Sequence, residues 1–270
     1  MKLDDVVALA CEAGREIYSI WKAGFTTDLK LDGSPVTIAD QRAEAIILAG
    51  LKRVAPDIPV IAEEEVAAGS IPPFTDRFFL VDPLDGTKGF SEGKNDGFTV
   101  NIGLVERGVP TLGVVYAPAT GELWAADGAG AWGARCDLES ARETSPRIPL
   151  HVSPRTGAWR LVGSSTYSGP KLKAFAQKVA AAETLAESSS IKFCRLASGE
   201  ADIYPRFGGI SEWDCAAGHA ILAAAGGGVM RLDGAPLVYG TRAASFDLDG
   251  LIGYGNAAAE AAARKAIGEP

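Results

Sequence analysis

Cysteine and histidine are scarce in this sequence, and neither occurs at the spacing of a metal site or a disulfide framework. The four cysteines lie far apart and form no CxxC pair, so buried free thiols are the simpler interpretation. His151 and His219 each stand alone, so no imidazole cluster is available for catalysis. The sequence therefore argues against a zinc module and a disulfide-stapled fold.

Long apolar runs are also missing. No stretch approaches the length needed to cross a bilayer, and the first five residues carry acid where a secretory signal would carry base. We expect no transmembrane segment and a cytoplasmic location, with peripheral association with the inner membrane left as an open alternative.

Positive charge is in short supply as well, with 26 Lys and Arg against 34 Asp and Glu and a net charge of -8. A negative field repels polyanions, so we expect no nucleic-acid partner. A small phosphorylated substrate would need local cations to attract it, and bound metal ions would supply them.

The length of 270 residues and the 47% apolar content allow a large core, and we expect two lobes. Residues 1–150 would form an α+β lobe and residues 151–270 a smaller α/β lobe, because periodicity is lost and Ser and Pro accumulate around Leu150. Apolar periodicity predicts helices over residues 3–23, 37–54, 170–182, 191–197, 213–225 and 256–267, and strands over residues 59–62, 78–81, 98–105, 111–116, 122–126 and 159–163.

The most informative motif is the acidic turn Asp82-Pro83-Leu84-Asp85-Gly86-Thr87, which follows an apolar strand. The rigid turn would hold Asp82 and Asp85 close together, and like charges that close need cations. Hard divalent ions prefer carboxylate and carbonyl oxygens, so Asp82, Asp85 and the Leu84 carbonyl form a candidate ligand set. Taken alone, such a short string is as often an ordinary surface turn.

Acidic residues elsewhere in the chain strengthen the metal hypothesis. Glu63 follows a second apolar strand, whereas Glu65 of the same run fits a solvated charge better. Asp214 lies at the start of a helix rich in small residues, where its carboxylate either caps the helix or points into a cleft. Asp40 falls near the start of the second predicted helix. Carboxylates at strand ends and helix starts of distant segments indicate a site for several metal ions.

Three strings of the sequence resemble the inositol monophosphatase superfamily over nearly the whole chain: Ile61-Ala62-Glu63-Glu64, Asp82-Pro83-Leu84-Asp85-Gly86-Thr87 and Trp213-Asp214-Cys215-Ala216-Ala217-Gly218. The resemblance implies a layered αβαβα sandwich and a lithium-sensitive phosphatase, with Li⁺ competing with Mg²⁺ at one metal position. It implies two or three Mg²⁺ ions held by Glu63, Asp82, the Leu84 carbonyl, Asp85 and Asp214. It also implies that the catalytic residues are Asp40, Glu63 and Thr87, with Asp40 and Thr87 orienting the attacking water.

Within the superfamily, four further strings are similar to the 3'(2'),5'-bisphosphate nucleotidases of the CysQ type: Gly86-Thr87-Lys88, Phe98-Thr99-Val100-Asn101-Ile102, Ser190-Ile191-Lys192-Phe193-Cys194 and Tyr204-Pro205-Arg206. The chain departs from that subgroup at Gly89, where an acidic residue is usual.

Substrate selection is expected to come mainly from the second lobe. Ser189 and Lys192 are three residues apart, which on a helix would place both toward a cleft, and Arg206 would add a second cation for a non-reacting phosphate. Without the resemblance, a solvated surface position is the more ordinary interpretation of any one of these side chains. The full substrate-binding set implied is Glu63, Leu84, Asp85, Gly86, Thr87, Lys88, Ser189, Lys192, Arg206 and Asp214.

The leading functional hypothesis is hydrolysis of the 3'-phosphate of 3'-phosphoadenosine 5'-phosphate to AMP and phosphate, a reaction of sulfur assimilation, by a monomer or homodimer. The alternative is a phosphatase for inositol phosphate or another small sugar phosphate on the same metal site. A non-catalytic sensor of metal and nucleotide is a third hypothesis, against which the intact Glu63, Thr87 and Asp40 argue.

Overall fold

Helices and strands alternate in the computed structural model, which describes residues 1–29, 35–93, 97–164, 169–241 and 245–268. The helices are α1 Leu3–Ala23, α2 Ile38–Val54, α3 Glu63–Ala67, α4 Thr87–Ser91, α5 Pro170–Lys178, α6 Ile191–Ala197, α7 Glu212–Ala224 and α8 Ala257–Ile267. The strands are β1 Thr27–Leu29, β2 Pro35–Thr37, β3 Val60–Ala62, β4 Arg77–Asp85, β5 Thr99–Glu106, β6 Val109–Ala117, β7 Glu122–Asp127, β8 Gly130–Arg135, β9 Ile148–Pro149, β10 Arg160–Ser164, β11 Glu183–Glu187, β12 Ile203–Arg206, β13 Ile210–Ser211, β14 Gly228–Arg231, β15 Asp247–Leu248 and β16 Leu251–Tyr254.

The larger sheet follows chain order from β3 to β9. β3 runs parallel to β4, and every later pair is antiparallel. The predicted strands over residues 98–105 and 111–116 correspond to β5 and β6, which form a hairpin. They are joined by Arg107 and Gly108, whose φ angles of 51° and 77° match the positive-φ turns that suit tight hairpins.

Helices α1 and α2 cover one face of this sheet. Alternate residues of β4, such as Phe79 and Val81, join Ile17 and Ile47 from the two helices in one buried cluster. The intervening residues Phe78 and Leu80 point to the opposite face, as the two-residue period of a strand requires.

Helices α6 and α7 form the middle layer on that opposite face. α7 packs closely on β5 and β6 because its contact surface consists of small residues, including Ala216 and Ala217. A Cβ atom added at Gly103 of β5 would lie 2.8 Å from the Ala217 backbone nitrogen, so this position must lack a side chain. The close approach brings the start of α7 to the end of β4.

A second sheet, in the strand order β11-β10-β12-β16-β14, lies on the other side of the middle layer. Its inner residues, such as Val162 and Tyr204, join the middle-layer cluster. Its outer residues, such as Leu161, pack with Phe175 of α5 and Ala263 of α8. The five layers confirm the predicted αβαβα sandwich.

Several elements of the second sheet were missing from the sequence prediction. β11, β12, β14 and β16 have only four or five residues each, too few for a clear apolar period, and β11 is largely exposed. The predicted helix over residues 170–182 was too long, because α5 ends at Lys178 and Ala180 adopts a left-handed φ of 53°. The proposed division at Leu150 stays a prediction.

Across the described residues, no helix combines the length and the apolar character that a bilayer crossing requires.

A buried carboxylate, Glu44 of α2, fixes the start of α3. Its Oε2 accepts a hydrogen bond of 2.9 Å from the Glu64 backbone N–H, one of the amides that a helix start leaves without a partner inside the helix. Burial, followed by the charges of Glu64, Glu65 and Glu63, raises the pKa of Glu44 to about 7. Glu44 therefore holds the first turn of α3, which begins at Glu63, and is itself easily protonated.

We predict that Glu44→Gln removes a pH-dependent part of the folding free energy. The pKa is raised on folding, so the contribution of Glu44 is present below its ordinary pKa of 4.5 and is lost as the pH rises through about 7. Denaturant unfolding with chelator present should find the two proteins similar at acidic pH and Glu44→Gln more stable by about 1–3 kcal/mol at pH 8. A difference that does not vary with pH would contradict the prediction, and Glu12→Gln on an exposed face of α1 is the control.

Candidate active site

The acidic turn lies at the end of β4, where pairing with β5 becomes irregular. Asp82 pairs with Asn101 and Asp85 with Thr99, and the register shifts between them. The Leu84 backbone N–H donates to Asp82 Oδ1 at 2.9 Å, which fixes the first carboxylate against its own turn. Both carboxylates thus sit at the strand end on a constrained backbone.

Gly86 closes this turn in the left-handed region, with a φ of 94°. The backbone angle favours glycine, and a Cβ atom there would also lie 2.5 Å from Ser189 Oγ and displace that hydroxyl. Ser189 Oγ in turn donates to the Asp85 carbonyl at 3.0 Å. The turn is therefore held from the side by the segment before α6.

Asp214 approaches the turn from the first turn of α7. Its Oδ2 accepts a hydrogen bond of 3.0 Å from the Ser211 backbone N–H, in a capping arrangement. Ligand oxygens of Asp82, Asp85 and Asp214 all lie within 4.8 Å of one another. Asp214 thus both caps its helix and points into the site, so the two roles that the sequence suggested as alternatives occur together.

Glu63 and the pair Asp40–Thr87 surround this group. Glu63 begins α3 directly after β3, and its charge acts on Asp82 and Asp85, although it is not a member of the closest group. Thr87 Oγ1 lies 3.0 Å from Asp40 Oδ1 and 2.8 Å from the Leu84 carbonyl. Asp40 accepts through its other oxygen from Thr37, in the capping box of α2.

The electrostatics of the carboxylates suit a cation. Burial, with added repulsion from Glu63 and the neighbouring carboxylates, raises the pKa of Asp82 well above its usual value. Burial and the charges of Asp85 and Glu63 raise the pKa of Asp214 to about 8, and burial raises the pKa of Asp85 against the opposing charge of Lys192. Clustered carboxylates and a backbone carbonyl are the donors that hard divalent ions prefer, so these residues fit such an ion.

A cavity of about 400 Å³ opens beside Asp85 and Asp214, between the larger sheet and the second one. It contains the predicted substrate residues Gly86, Lys88, Ser189, Lys192 and Arg206. The remaining lining residues are Gly89, Phe90, Glu92, Gly97, Phe98, Ser164, Ser188, Phe193, Tyr204 and Ile210.

The cations of the cavity differ in burial. Lys88 is exposed, whereas Lys192 is buried, with its Nζ 5.5 Å from the centre of the Tyr204 ring. Burial lowers the pKa of Lys192 to about 8, although the charge of Asp85 opposes the shift. Arg206 donates through Nη2 to the Gly209 carbonyl at 2.9 Å.

The prediction that Ser189 and Lys192 lie one turn apart on a helix was wrong, although both residues line the cavity. Ser189 precedes α6 and has a left-handed φ of 50°, so the two residues are not one turn apart on a helix. A tight bend brings Ser189 over Gly86 instead.

Ser190 is a site residue that the sequence interpretation missed. It is buried, and its Oγ lies 2.7 Å from the Asp214 carbonyl and 3.1 Å from Asp85 Oδ2. A single hydroxyl therefore connects the turn after β4 to the first turn of α7. The signals in the sequence were its position beside Ser189 and its place at the start of the string Ser190-Ile191-Lys192-Phe193-Cys194.

Comparison with known proteins agrees with this arrangement. A profile of the inositol monophosphatase family matches residues 2–265. The 3'(2'),5'-bisphosphate nucleotidase CysQ of Shigella flexneri is 41% identical over 242 residues, which cover 89% of this chain and 94% of that protein.

Solved structures show the same likeness. The crystal structure of CysQ from Bacteroides thetaiotaomicron, a bacterial member of the inositol monophosphatase family, has a TM-score of 0.76 and 34% identity, with 94% of this chain and 96% of that chain covered. An inositol monophosphatase from Anabaena has a TM-score of 0.75 and 25% identity, with coverage of 99% and 96%.

We predict that Asp82→Asn stabilises the metal-free protein. The amide removes one of the mutually repelling buried charges, and its Oδ1 still accepts from the Leu84 N–H. In chelator at pH 8, denaturant unfolding should show a gain of about 1–3 kcal/mol, and adding Mg²⁺ should stabilise wild type but not the variant.

Asp57→Asn, at an exposed position, is the control and should behave as wild type in both conditions. Lower stability of Asp82→Asn in chelator, or equal stabilisation of both proteins by Mg²⁺, would contradict the prediction.

Proposed function

The chain belongs to the inositol monophosphatase family, and from that membership we propose that it is a Mg²⁺-dependent phosphomonoesterase that hydrolyses the 3'-phosphate of 3'-phosphoadenosine 5'-phosphate to AMP and phosphate. We also propose that the sulfated analogue of this nucleotide is a substrate. The nucleotidase activity stated in the name of the Shigella flexneri relative supports the choice of substrate.

The observation that carries the proposal is the position of the clustered carboxylates beside a cavity with cationic walls. Asp82, Asp85 and Asp214 would hold Mg²⁺ together with Glu63 and the Leu84 carbonyl. On the other side of the cavity, Lys192 and Arg206 offer positive charge to a phosphorylated ligand. A binding module for an uncharged ligand would need neither group.

Magnesium bound here would supply the positive charge that acidifies a water and stabilises the departing sugar oxygen. The residues of the chain would then orient that water and take its proton. Thr87 Oγ1 has one hydrogen, and donating it to Asp40 Oδ1 leaves an oxygen lone pair to accept the hydrogen of the attacking water. Burial raises the pKa of Asp40, which helps this carboxylate to accept a proton.

The phosphoryl group needs positioning more than covalent chemistry. Its transition state is loose, so catalysis depends on holding the phosphoryl oxygens and on alignment of the water with the leaving group. We propose that the backbone amides of Gly86 and Thr87 contact phosphate oxygens, with Glu63 helping Thr87 and Asp40 to place the water. No phosphoenzyme is required.

Substrate choice is proposed to rest on the other phosphate. Lys192 is the buried cation of the cavity, and Arg206 and Lys88 stand on its walls. Together with Ser189 they would bind the 5'-phosphate while the 3'-phosphate faces the carboxylates. Gly89 lines the same cavity. Because it replaces the acidic residue that is usual in the bisphosphate nucleotidases, the cavity wall has one negative charge fewer.

Three broader features belong to the same proposal. The enzyme would act in sulfur assimilation, in the cytoplasm, as a monomer or homodimer. The place in sulfur assimilation follows from the substrate proposed.

We predict Mg²⁺-dependent phosphate release from 3'-phosphoadenosine 5'-phosphate that exceeds release from inositol 1-phosphate and fructose 1,6-bisphosphate. Asp85→Asn should lower release by about 100-fold or more while the fold is kept, because a metal ligand is lost. A malachite-green assay with each substrate, with and without Mg²⁺, makes the measurement.

The possible results separate the hypotheses. Faster release from inositol 1-phosphate would favour the alternative phosphatase. A wild-type protein that binds Mg²⁺ and nucleotide without turnover would favour the sensor. Asp57→Asn controls for the loss of one negative charge.

We predict that Lys192→Met selectively weakens use of the bisphosphorylated nucleotide. The buried ammonium would contact the non-reacting phosphate, so kcat/KM should fall by about tenfold or more for 3'-phosphoadenosine 5'-phosphate and much less for adenosine 3'-monophosphate. Lys171→Met, at an exposed position of α5, is the matched control. Equal losses of kcat/KM on both substrates would show that Lys192 does not bind the non-reacting phosphate.

A further inference from the structure

Two polar side chains are buried behind the acidic turn, where a strand interior would ordinarily be apolar. Thr99 and Asn101 of β5 have no exposed surface. Asn101 pairs with Asp82 and Thr99 pairs with Asp85. Directly paired residues of neighbouring strands project from the same face of a sheet, so each polar side chain stands beside one carboxylate.

That face points toward α7. Gly103, two residues beyond Asn101, meets the Ala217 backbone of α7. The intervening residues Val100 and Ile102 lie in the apolar cluster beneath α1 and α2. Thr99 and Asn101 are therefore on the side of β5 from which Asp214 approaches.

No polar side-chain atom of these two residues has a hydrogen-bond partner in the described part of the chain. This holds for Thr99 Oγ1 and for both Nδ2 and Oδ1 of Asn101. Buried polar atoms are almost always paired, and an exception beside a functional site indicates a missing water or ion. The Asn101 amide is also near Asp85: burial raises the pKa of that carboxyl, while Lys192, Ser190 and Asn101 oppose the shift.

The chemistry of these atoms matches a hydrated cation. Mg²⁺ loses its waters reluctantly and keeps several of them when it binds to proteins. Water attached to a cation donates hydrogen bonds and needs acceptors, which Asn101 Oδ1 and Thr99 Oγ1 provide. The remaining donor of the amide, Nδ2, can bind a carboxylate oxygen.

We propose that Asn101 and Thr99 are positioning residues that hold the water of hydration of the ion bound by Asp82, Asp85 and Asp214. The inference rests on the metal site of the proposed function and adds a buried inner wall to it. Through the water, this wall sets the affinity of the site for the metal and the orientation of its carboxylates.

The experiment compares Asn101→Leu and Thr99→Val with wild type in Mg²⁺ titration calorimetry without substrate. Both replacements keep the approximate size of the side chain and remove its polar atoms. We expect the Mg²⁺ dissociation constant to rise by about 10- to 100-fold for Asn101→Leu, with a smaller rise for Thr99→Val, as for other groups that support metal ligands. The melting temperature in chelator should stay equal or rise.

A second measurement reports the water itself. With Mn²⁺ as probe, the enhancement of water-proton relaxation should change in both variants, because the exchange of the coordinated water depends on its hydrogen bonds. Val100→Thr, on the opposite face of the same strand, is the control: it should lower the melting temperature and leave Mg²⁺ affinity and Mn²⁺ relaxation unchanged.

The outcomes distinguish the two proposals. If wild type binds neither ion, the proposed metal-dependent function fails. If wild type binds them and both variants bind with unchanged affinity and relaxation, only the role of Asn101 and Thr99 is overturned. Should Asn101→Leu fail to fold, Thr99→Val, which loses only a hydroxyl, still tests the inference.

Discussion

The mutual repulsion of buried carboxylates is the constraint on which the site depends. Asp82, Asp85 and Asp214 bring their oxygens within 4.8 Å of one another, and Glu63 adds its charge from nearby. Burial alone disfavours each charge, and the neighbours disfavour it further. Lys192 opposes this from one side. Without a cation these carboxyls tend to bind protons, whereas a bound divalent ion would let them stay charged together, which is the physical link between this site and the proposed metal-dependent reaction.

The layered architecture holds the carboxylates rigidly in place despite their mutual repulsion. β4 ends in a turn fixed by the Asp82–Leu84 contact, and α7 begins with Asp214 already held in a capping box. Between them, Ser190 lies within hydrogen-bonding distance of Asp85 and of the Asp214 carbonyl. The close packing of α7 on β5 then prevents the two segments from moving apart. Sites built on strands and helices in this way are more precise than sites on loops alone.

In the proposed function, the catalytic and the substrate-selecting residues lie on opposite sides of the same turn. Asp40 and Thr87, which we propose to orient the attacking water, are hydrogen-bonded to each other on the side of α2. The cavity with Lys192 and Arg206 lies on the side of the second sheet.

The sequence by itself determined the family, the layered fold class and the candidate ligands of the site. The acidic turn, Glu63 after its strand and Asp214 at its helix start were readable because each signal lies within a few neighbouring residues. Tertiary structure decided the rest. The short strands of the second sheet, the bend that brings Ser189 over Gly86, and the positions of Ser190 and Asn101 beside the carboxylates depend on contacts between distant segments. Burial, and with it the pKa values of the carboxylates and of Lys192, also arises only when the layers pack, because desolvation is a property of the assembled core.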